Sequence, residues 1–251
     1  MIATTEQEAY NTLHAIRHAG KFNGWMFDAI RPFIRGRVLE AGSGIGNISS
    51  FLLQSYGEVW LSDYNEYYRE LLGSKFAGFP HLKGVLPIDL AAEQLDEACA
   101  PFFGTFDTIV ATNVIEHIRD DEQAIRNCRK LLKPGGRLVI LVPAWQGLFN
   151  GLDRAFGHYR RYTKQGMVSV LGRQMNVVYS RYFNIAGIAG WFFTGAILRK
   201  GTIPKAEMKI FDALVPLFKV IDRLAGNTIG LSVIVVAEET GKSGLSHRSR
   251  V

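Results

Sequence analysis

Cysteine is almost absent: 251 residues contain two, Cys99 and Cys128. Two cysteines build neither a disulfide framework nor a zinc cluster, so no metal is expected and a reducing, cytoplasmic setting is. Proline is sparse at eight residues, and no repeat or low-complexity linker divides the chain. No apolar run approaches the roughly 20 residues that cross a bilayer. The opening MIATTEQEAY has no basic segment followed by an apolar stretch, so no signal peptide is expected. A large charge imbalance is missing too. The formal charge is +6, and the segment 240–251 supplies half of it through Lys242, Arg248 and Arg250, with no acid beside them. A basic stripe for nucleic acid is therefore not expected; the excess favours anionic acceptors near Arg160 and Arg161 or an anionic membrane surface. With 47% hydrophobic and 21% charged residues, the chain has an ordinary globular composition and enough length to bury a large core.

What is present is an alternation. Residues 5–19 carry apolar positions at helical spacing after Thr5, a plausible N-cap, and a second helix is predicted over 23–34, blurred at its end by Pro32. Short apolar runs follow at 37–42, 58–63, 83–89, 106–112 and 137–143, with helical stretches predicted at 47–55, 65–73, 91–99 and 119–132. Strands apolar through most of their length are covered on both faces, so the order predicts a parallel, doubly wound sheet. Pro134-Gly135-Gly136 reads as a turn into the fifth strand. Two further strands, 176–183 and 231–239, are separated by a long insert holding two apolar helices, 185–198 and 211–224.

The sharpest signal is VLEAGSGIGN at 38–47, which sets Gly42, Gly44 and Gly46 on a strand-to-helix turn. Backbone amides in such a turn approach a ligand closely. A dinucleotide fingerprint wants glycine where Asn47 stands. Glu40, two residues before the first glycine, would repel a pyrophosphate but suits a cationic amino group. Asp63, followed by Tyr64, ends the second strand 21 residues after Gly42, where a carboxylate can accept ribose hydroxyls. Asp89-Leu90 ends the third strand and could take an adenine amino group and ring; Asp89 could equally cap a helix. Asn113-Val114 ends the fourth, ahead of Ile115-Glu116-His117.

With these residues in this order, the chain resembles the class I S-adenosylmethionine-dependent methyltransferases of small-molecule type. The resemblance rests on Glu40-Ala41-Gly42-Ser43-Gly44-Ile45-Gly46, Asp63, Asp89, the 113–117 segment and Leu132-Lys133-Pro134-Gly135-Gly136. It implies a Rossmann-like, mostly parallel seven-stranded α/β sheet with the last strand antiparallel and helices on both faces. It further implies S-adenosylmethionine as cofactor, leaving as S-adenosylhomocysteine. Glu40, Ala41, Gly42 and Gly44 would hold the methionine end, Asp63 and Tyr64 the ribose, Asp89 and Leu90 the adenine, and Asn113 and Val114 the region near the sulfonium. Residues 22–32 and 157–162 are similar to a bacterial subgroup associated with glycosyltransferases and surface polysaccharide or lipid synthesis.

The expected organisation is one domain over 1–239: a helical cap at 1–35, a cofactor core at 36–143, a substrate loop, sixth strand and helical insert at 144–230, and a last strand at 231–239. A disordered basic tail at 240–251 is expected to follow. Methyl transfer needs an aligned nucleophile about 3 Å from the methyl carbon, and an oxygen or nitrogen acceptor calls for a base. His158 is the first candidate base, with His117 and Tyr159 behind it; Arg160, Arg161, Tyr162 and Trp145 are candidate acceptor contacts. The plainer readings are a histidine satisfying a backbone group, a surface ion-pair network for the arginines, and Glu116 favoured by a helix dipole. Trp25, Tyr10 and Phe22 form either a lid or ordinary packing. The insert 184–230 reads as a helical wall of the acceptor pocket, a homodimer contact, or, through 185–224, a peripheral contact with the inner membrane surface. The acceptor is expected to be small: a sugar, lipid-linked or aromatic compound. The alternatives are a nucleic-acid methyltransferase, disfavoured because no proline follows Asn113, and a non-catalytic binding protein of the same fold.

Overall fold

The computed structural model describes residues 17–197 and 205–241. Most of the helix predicted at 5–19, with Tyr10, lies outside the described residues, as do Arg199, Lys200 and the segment 242–251. The first helix described, α1 (Gly20–Ile30), runs into a 3₁₀ turn at Arg31–Phe33, because Pro32 has no amide to continue the ladder. The core then alternates: β1 (Val38–Ala41), α2 (Ser49–Ser55), β2 (Val59–Ser62), α3 (Glu66–Phe76), β3 (Leu82–Leu86), β4 (Phe106–Thr112), α4 (Asp121–Leu131) and β5 (Leu132–Pro143). Next come α5 (Gly151–Ala155), α6 (Lys164–Gly172), β6 (Asn176–Phe183), α7 (Ala186–Trp191), α8 (Lys205–Leu224) and β7 (Ser232–Glu238).

The seven strands form one sheet in the order β3-β2-β1-β4-β5-β7-β6. Strands β1 to β5 are parallel, and β7 runs antiparallel to both β5 and β6. This is the mostly parallel α/β sheet expected, with its last strand antiparallel. Period-two alternation sends Val38, Val110 and Val139 to the face covered by α1, α2, α3 and part of α8. The intervening Leu39, Ile109 and Leu138 face α4 and α6. All six side chains are fully buried, each contributing about 1.5–3 kcal/mol relative to exposure.

Two expectations change. Residues 91–99 form no α-helix; a 3₁₀ turn stands at Glu97–Phe102. Asp89 and Asp96 accept from the amides of Ala91 and Ala98, and Pro101 lacks an amide, so local turns outcompete the helix. Pro134-Gly135-Gly136 lies within β5 rather than before it: Leu132 already pairs with Phe106, and the register shifts before Thr108.

The insert folds back over the amino-terminal helix. Phe22 packs edge-on against Phe211 with ring centroids 5.5 Å apart, and its amide donates to Asp212 (2.8 Å). Lys219 pairs with Asp28 at 2.9 Å. The buried Asp222 accepts from the amides of Asn184 (2.6 Å) and Ile185 (2.7 Å), tying the end of α8 to the start of α7. On the outer side of α8, Ile210, Leu214, Leu217, Ile221 and Leu224 are exposed. No described helix is long and apolar enough to cross a membrane.

Candidate active site

The carboxyl ends of β1 to β4 open into a cleft of about 1380 Å³, roofed by α1, α7 and α8. Its floor is the turn after β1. Gly42 has a φ of +67°, and a Cβ there would stand 2.6 Å from Val114 Cγ2. Gly46, at φ +77°, would meet Phe76 Cε2 at 2.6 Å. Glycine is required at the first by the left-handed backbone and contact with the β4 end, and at the second by the packing of α3.

Glu40 is buried in β1 and accepts a hydrogen bond from the Ser49 hydroxyl. Burial pushes its carboxyl up to about 7, against the opposing pull of Ser49, Ser43 and the charge of Lys75. Asp63 accepts from the amides of Gly44 (2.9 Å) and Asn65 (2.9 Å), so β2 clamps the glycine turn. Burial raises its carboxyl above the ordinary range despite those bonds and the nearby Arg69. Tyr64 beside it is exposed and lines the cleft with Asp89, Leu90, Asn113 and Val114. Asn113 adopts a φ of +53° and its amide donates to Leu141 O (2.8 Å), turning the chain at the end of β4. The structure thus gathers Glu40, Gly42, Gly44, Asp63, Tyr64, Asp89, Leu90, Asn113 and Val114 around one space. Ala41 stays in the core beneath it.

A second polar group meets the cleft. His158 Nδ1 lies 2.9 Å from Asp153 Oδ1, the same oxygen that accepts from Arg161 Nε at 2.7 Å. Burial raises the Asp153 carboxyl, but the His158 hydrogen bond and the Arg161 charge outweigh it and hold the carboxyl below the ordinary range. Arg161 also donates to Ala144 O (3.1 Å) and stacks over the Trp191 ring at 4.4 Å. Glu116 is fully buried, neither of its carboxylate oxygens has a hydrogen-bond partner, and Oε1 is 3.9 Å from His158 Nε2. Burial pushes its carboxyl up to about 8. His117 meets His158 edge-on with centroids 4.6 Å apart; it opens to the cleft on one side, but surrounding protein and the neighbouring imidazole pull it down to about 4.

Other expected contacts fall elsewhere. Arg160 pairs with Asp121 at 3.0 Å and donates to Arg119 O, outside the cleft lining, because Asp121 at the start of α4 captures it. Tyr162 is buried with its hydroxyl on the same Asp121 (2.9 Å), which raises its pKa together with burial. Trp145 donates to Gly230 O (2.9 Å) and stacks on Tyr182, and Tyr159 points to solvent. These four lie outside the cleft lining, in structural or surface positions. Trp25 packs on Phe183, while Phe22 reaches the cleft. Asp153 was not singled out from sequence. Its signal is the Asn150-to-Asp153 spacing, a reciprocal cap at the start of α5, with Asp153 five residues before His158.

Residues 39–138 match the family described as "Methyltransferase domain". The matched segment is less than half of the chain, and over it the chain resembles a methyltransferase. A highly reducing polyketide synthase of Aspergillus sclerotiorum is 32% identical over 127 residues, covering 46% of this chain and 5% of that protein. A ubiquinone biosynthesis O-methyltransferase of Xanthomonas euvesicatoria is 32% identical over 104 residues, covering 41% of each. The chain thus spans well under half the length of these relatives. Among solved structures, phospholethanolamine N-methyltransferase 2 of Haemonchus contortus, in complex with S-adenosylhomocysteine, superposes with a TM-score of 0.54 at 14% identity, over 85% of this chain and 52% of that one. At that identity the likeness is one of fold.

Proposed function

We propose that the chain is an S-adenosylmethionine-dependent methyltransferase acting on a small, largely apolar acceptor through an oxygen nucleophile. The observation that carries this reading is the convergence of Glu40, the glycine turn, Asp63 and Asn113 on a cleft that His158 also lines, backed by the buried Asp153. The cofactor's ammonium group faces Glu40, its ribose hydroxyls bond Asp63, and its adenine lies by Asp89 and Leu90. The volume exceeds the roughly 300–1,000 Å³ that encloses one drug-sized ligand, leaving room for an acceptor.

The acceptor end is lined by Phe22, Met26, Leu152, Phe156, Trp191 and Phe211, which favours an aromatic or lipid-linked compound over a free sugar. The acceptor hydroxyl gives its proton to His158 Nε2, while Asp153 holds Nδ1–H and steadies the imidazolium that forms. The oxygen attacks the methyl carbon in line, and the C–S electron pair stays on sulfur as S-adenosylhomocysteine departs. Arg161, the arginine of the cleft lining, is already paired with Asp153, so it offers no uncompensated charge to a nucleic-acid backbone. The exposed stripe on α8 supports peripheral contact of the 185–224 insert with a membrane surface; flotation with anionic vesicles, lost on Leu214→Glu, tests it.

Calorimetry with S-adenosylmethionine, S-adenosylhomocysteine and NAD tests the central reading. Binding of the first two is expected; binding of NAD alone would overturn it. Methyl acceptance by fractionated cell extracts then finds the acceptor.

A further inference from the structure

Glu116 is difficult to explain as a structural residue. It has no exposed surface, and both carboxylate oxygens lack a hydrogen-bond partner. A buried carboxylate in that state is costly and persists in folded proteins when something else meets it. Two imidazoles stand beside it, with the Arg161 charge and its own backbone amide also acting on the carboxyl. His158 Nε2 is 3.9 Å away, and ligand atoms of Glu116, His117 and His158 all lie within 4.8 Å of one another.

We propose that Glu116, His117 and His158 bind one divalent first-row transition-metal ion at the acceptor end of the cleft. Two imidazoles and one carboxylate are a donor set suited to Zn²⁺, Fe²⁺, Mn²⁺ or Co²⁺ and poorly suited to Mg²⁺ or Ca²⁺, which take oxygen ligands. Three protein ligands are the count of an open site. Metal–ligand bonds of about 2.0–2.2 Å require the three groups to draw together modestly. The surroundings of His158 fit the role. Its Nδ1 is held by Asp153 Oδ1 at 2.9 Å, the carboxylate-imidazole relay that orients a metal-bound histidine and leaves Nε2 for the ion. His117 and His158 both line the cleft, so coordination positions beyond the three protein ligands face the space assigned to the acceptor.

What the ion does rests on the methyl-transfer reading; that it binds does not. With the ion in place, His158 Nε2 is a ligand, and the acceptor hydroxyl coordinates the metal and releases its proton to water. The resulting metal-bound oxygen attacks the methyl carbon, and the C–S pair passes to sulfur. His158 as base and His158 as ligand are thus two states of one site, separated by metal occupancy.

The test is titration of the chelator-treated full chain with Co²⁺, followed by visible absorption, with Zn²⁺ competition and Mg²⁺ as control. One equivalent is expected, with Zn²⁺ displacing it and Mg²⁺ not. Glu116→Gln and His117→Asn should each abolish saturable binding while S-adenosylmethionine affinity persists, which also shows that the variants fold. Asp153→Asn, which touches no metal, should weaken binding about 10–100-fold through His158. Absence of a Co²⁺ spectrum in the folded wild type overturns the inference, as does binding that survives both ligand substitutions. Co²⁺ binding without S-adenosylmethionine binding would instead sink the methyltransferase reading and leave the metal site standing. Turnover equal with and without the ion would refute the ion's part in acceptor activation.

Discussion

Glu40 offers the most exposing test of the cofactor assignment. Its carboxyl is pushed from 4.5 up to about 7, chiefly by burial. That displacement corresponds to about 3 kcal/mol against the charged form. Because the folded value lies above the unfolded one, the folded chain holds the extra proton between these limits. Stability from this group is therefore full below pH 4.5 and lost as pH rises through about 7. Cofactor binding has the opposite sign, since an ammonium group needs the carboxylate ionised. Between pH 8 and pH 6 the ionised fraction falls from near unity to about one-tenth, so the apparent Kd for S-adenosylmethionine should rise about tenfold. Near pH 6, binding should release close to one proton, measurable by calorimetry in buffers of different ionisation heat. Glu40→Gln should bind about 10-fold or more weakly at pH 8, matching the loss of a charge-assisted hydrogen bond, and should lose the acidic limb of the profile. The ligand's own amino group titrates in both proteins and cancels in the comparison. An affinity flat from pH 6 to 8, or a limb retained in Glu40→Gln, would refute the placement of the ammonium at Glu40.

Other outcomes follow from the same geometry. Asp63→Ala removes the proposed ribose acceptor and the partner of the Gly44 amide; cofactor affinity should fall about 10- to 100-fold, corresponding to one or two lost charge-assisted bonds. Gly42→Ala drives a Cβ to 2.6 Å from Val114 at a left-handed backbone position, so thermal unfolding should show about 1–3 kcal/mol of destabilisation together with weaker cofactor binding. His158→Gln should lower kcat about 10²- to 10⁴-fold with cofactor affinity unchanged in calorimetry; full turnover at every pH would end its role at the acceptor. Asp222→Ala breaks one buried and one partly buried bond that moor α8; a loss of about 2–4 kcal/mol in chemical denaturation is expected, with the α8 amides exchanging fastest.

The half of the cleft proposed for the cofactor was legible as a gathering of residues because it is built from local signals. A glycine turn must use glycine wherever φ is positive and another strand end presses close, and the acidic strand ends sit at intervals set by βα units. The strand-end residues therefore arrived together in the structure as the order along the chain implied. The acceptor half was legible only in outline. Arg160, Arg161 and Tyr162 are consecutive, yet Asp121 in α4 captures the first and third while Asp153 in α5 takes the second into the cleft. Periodicity does not reveal which carboxylate is nearer. The segment 91–99 misled for a related reason: its apolar spacing suited a helix, but aspartates bonding local amides and Pro101 made turns instead.

By itself the sequence determined the parallel α/β sheet, the antiparallel closing strand and the family to which the core is similar. The parallel sheet depends on hydrophobic alternation and turn chemistry, which act over a few residues; the antiparallel strand was implied by the resemblance that the glycine turn and strand ends carry. Tertiary structure alone decided that the insert closes over α1, that Asp153 stands behind His158, and that Glu116, His117 and His158 face one another around an unpartnered carboxylate. The scarcity of cysteine had suggested a protein without a metal. His158, brought to the adjacent Glu116 and His117 by folding, leaves no spacing pattern in the chain, because its separation in sequence is set by the length of a strand and a loop.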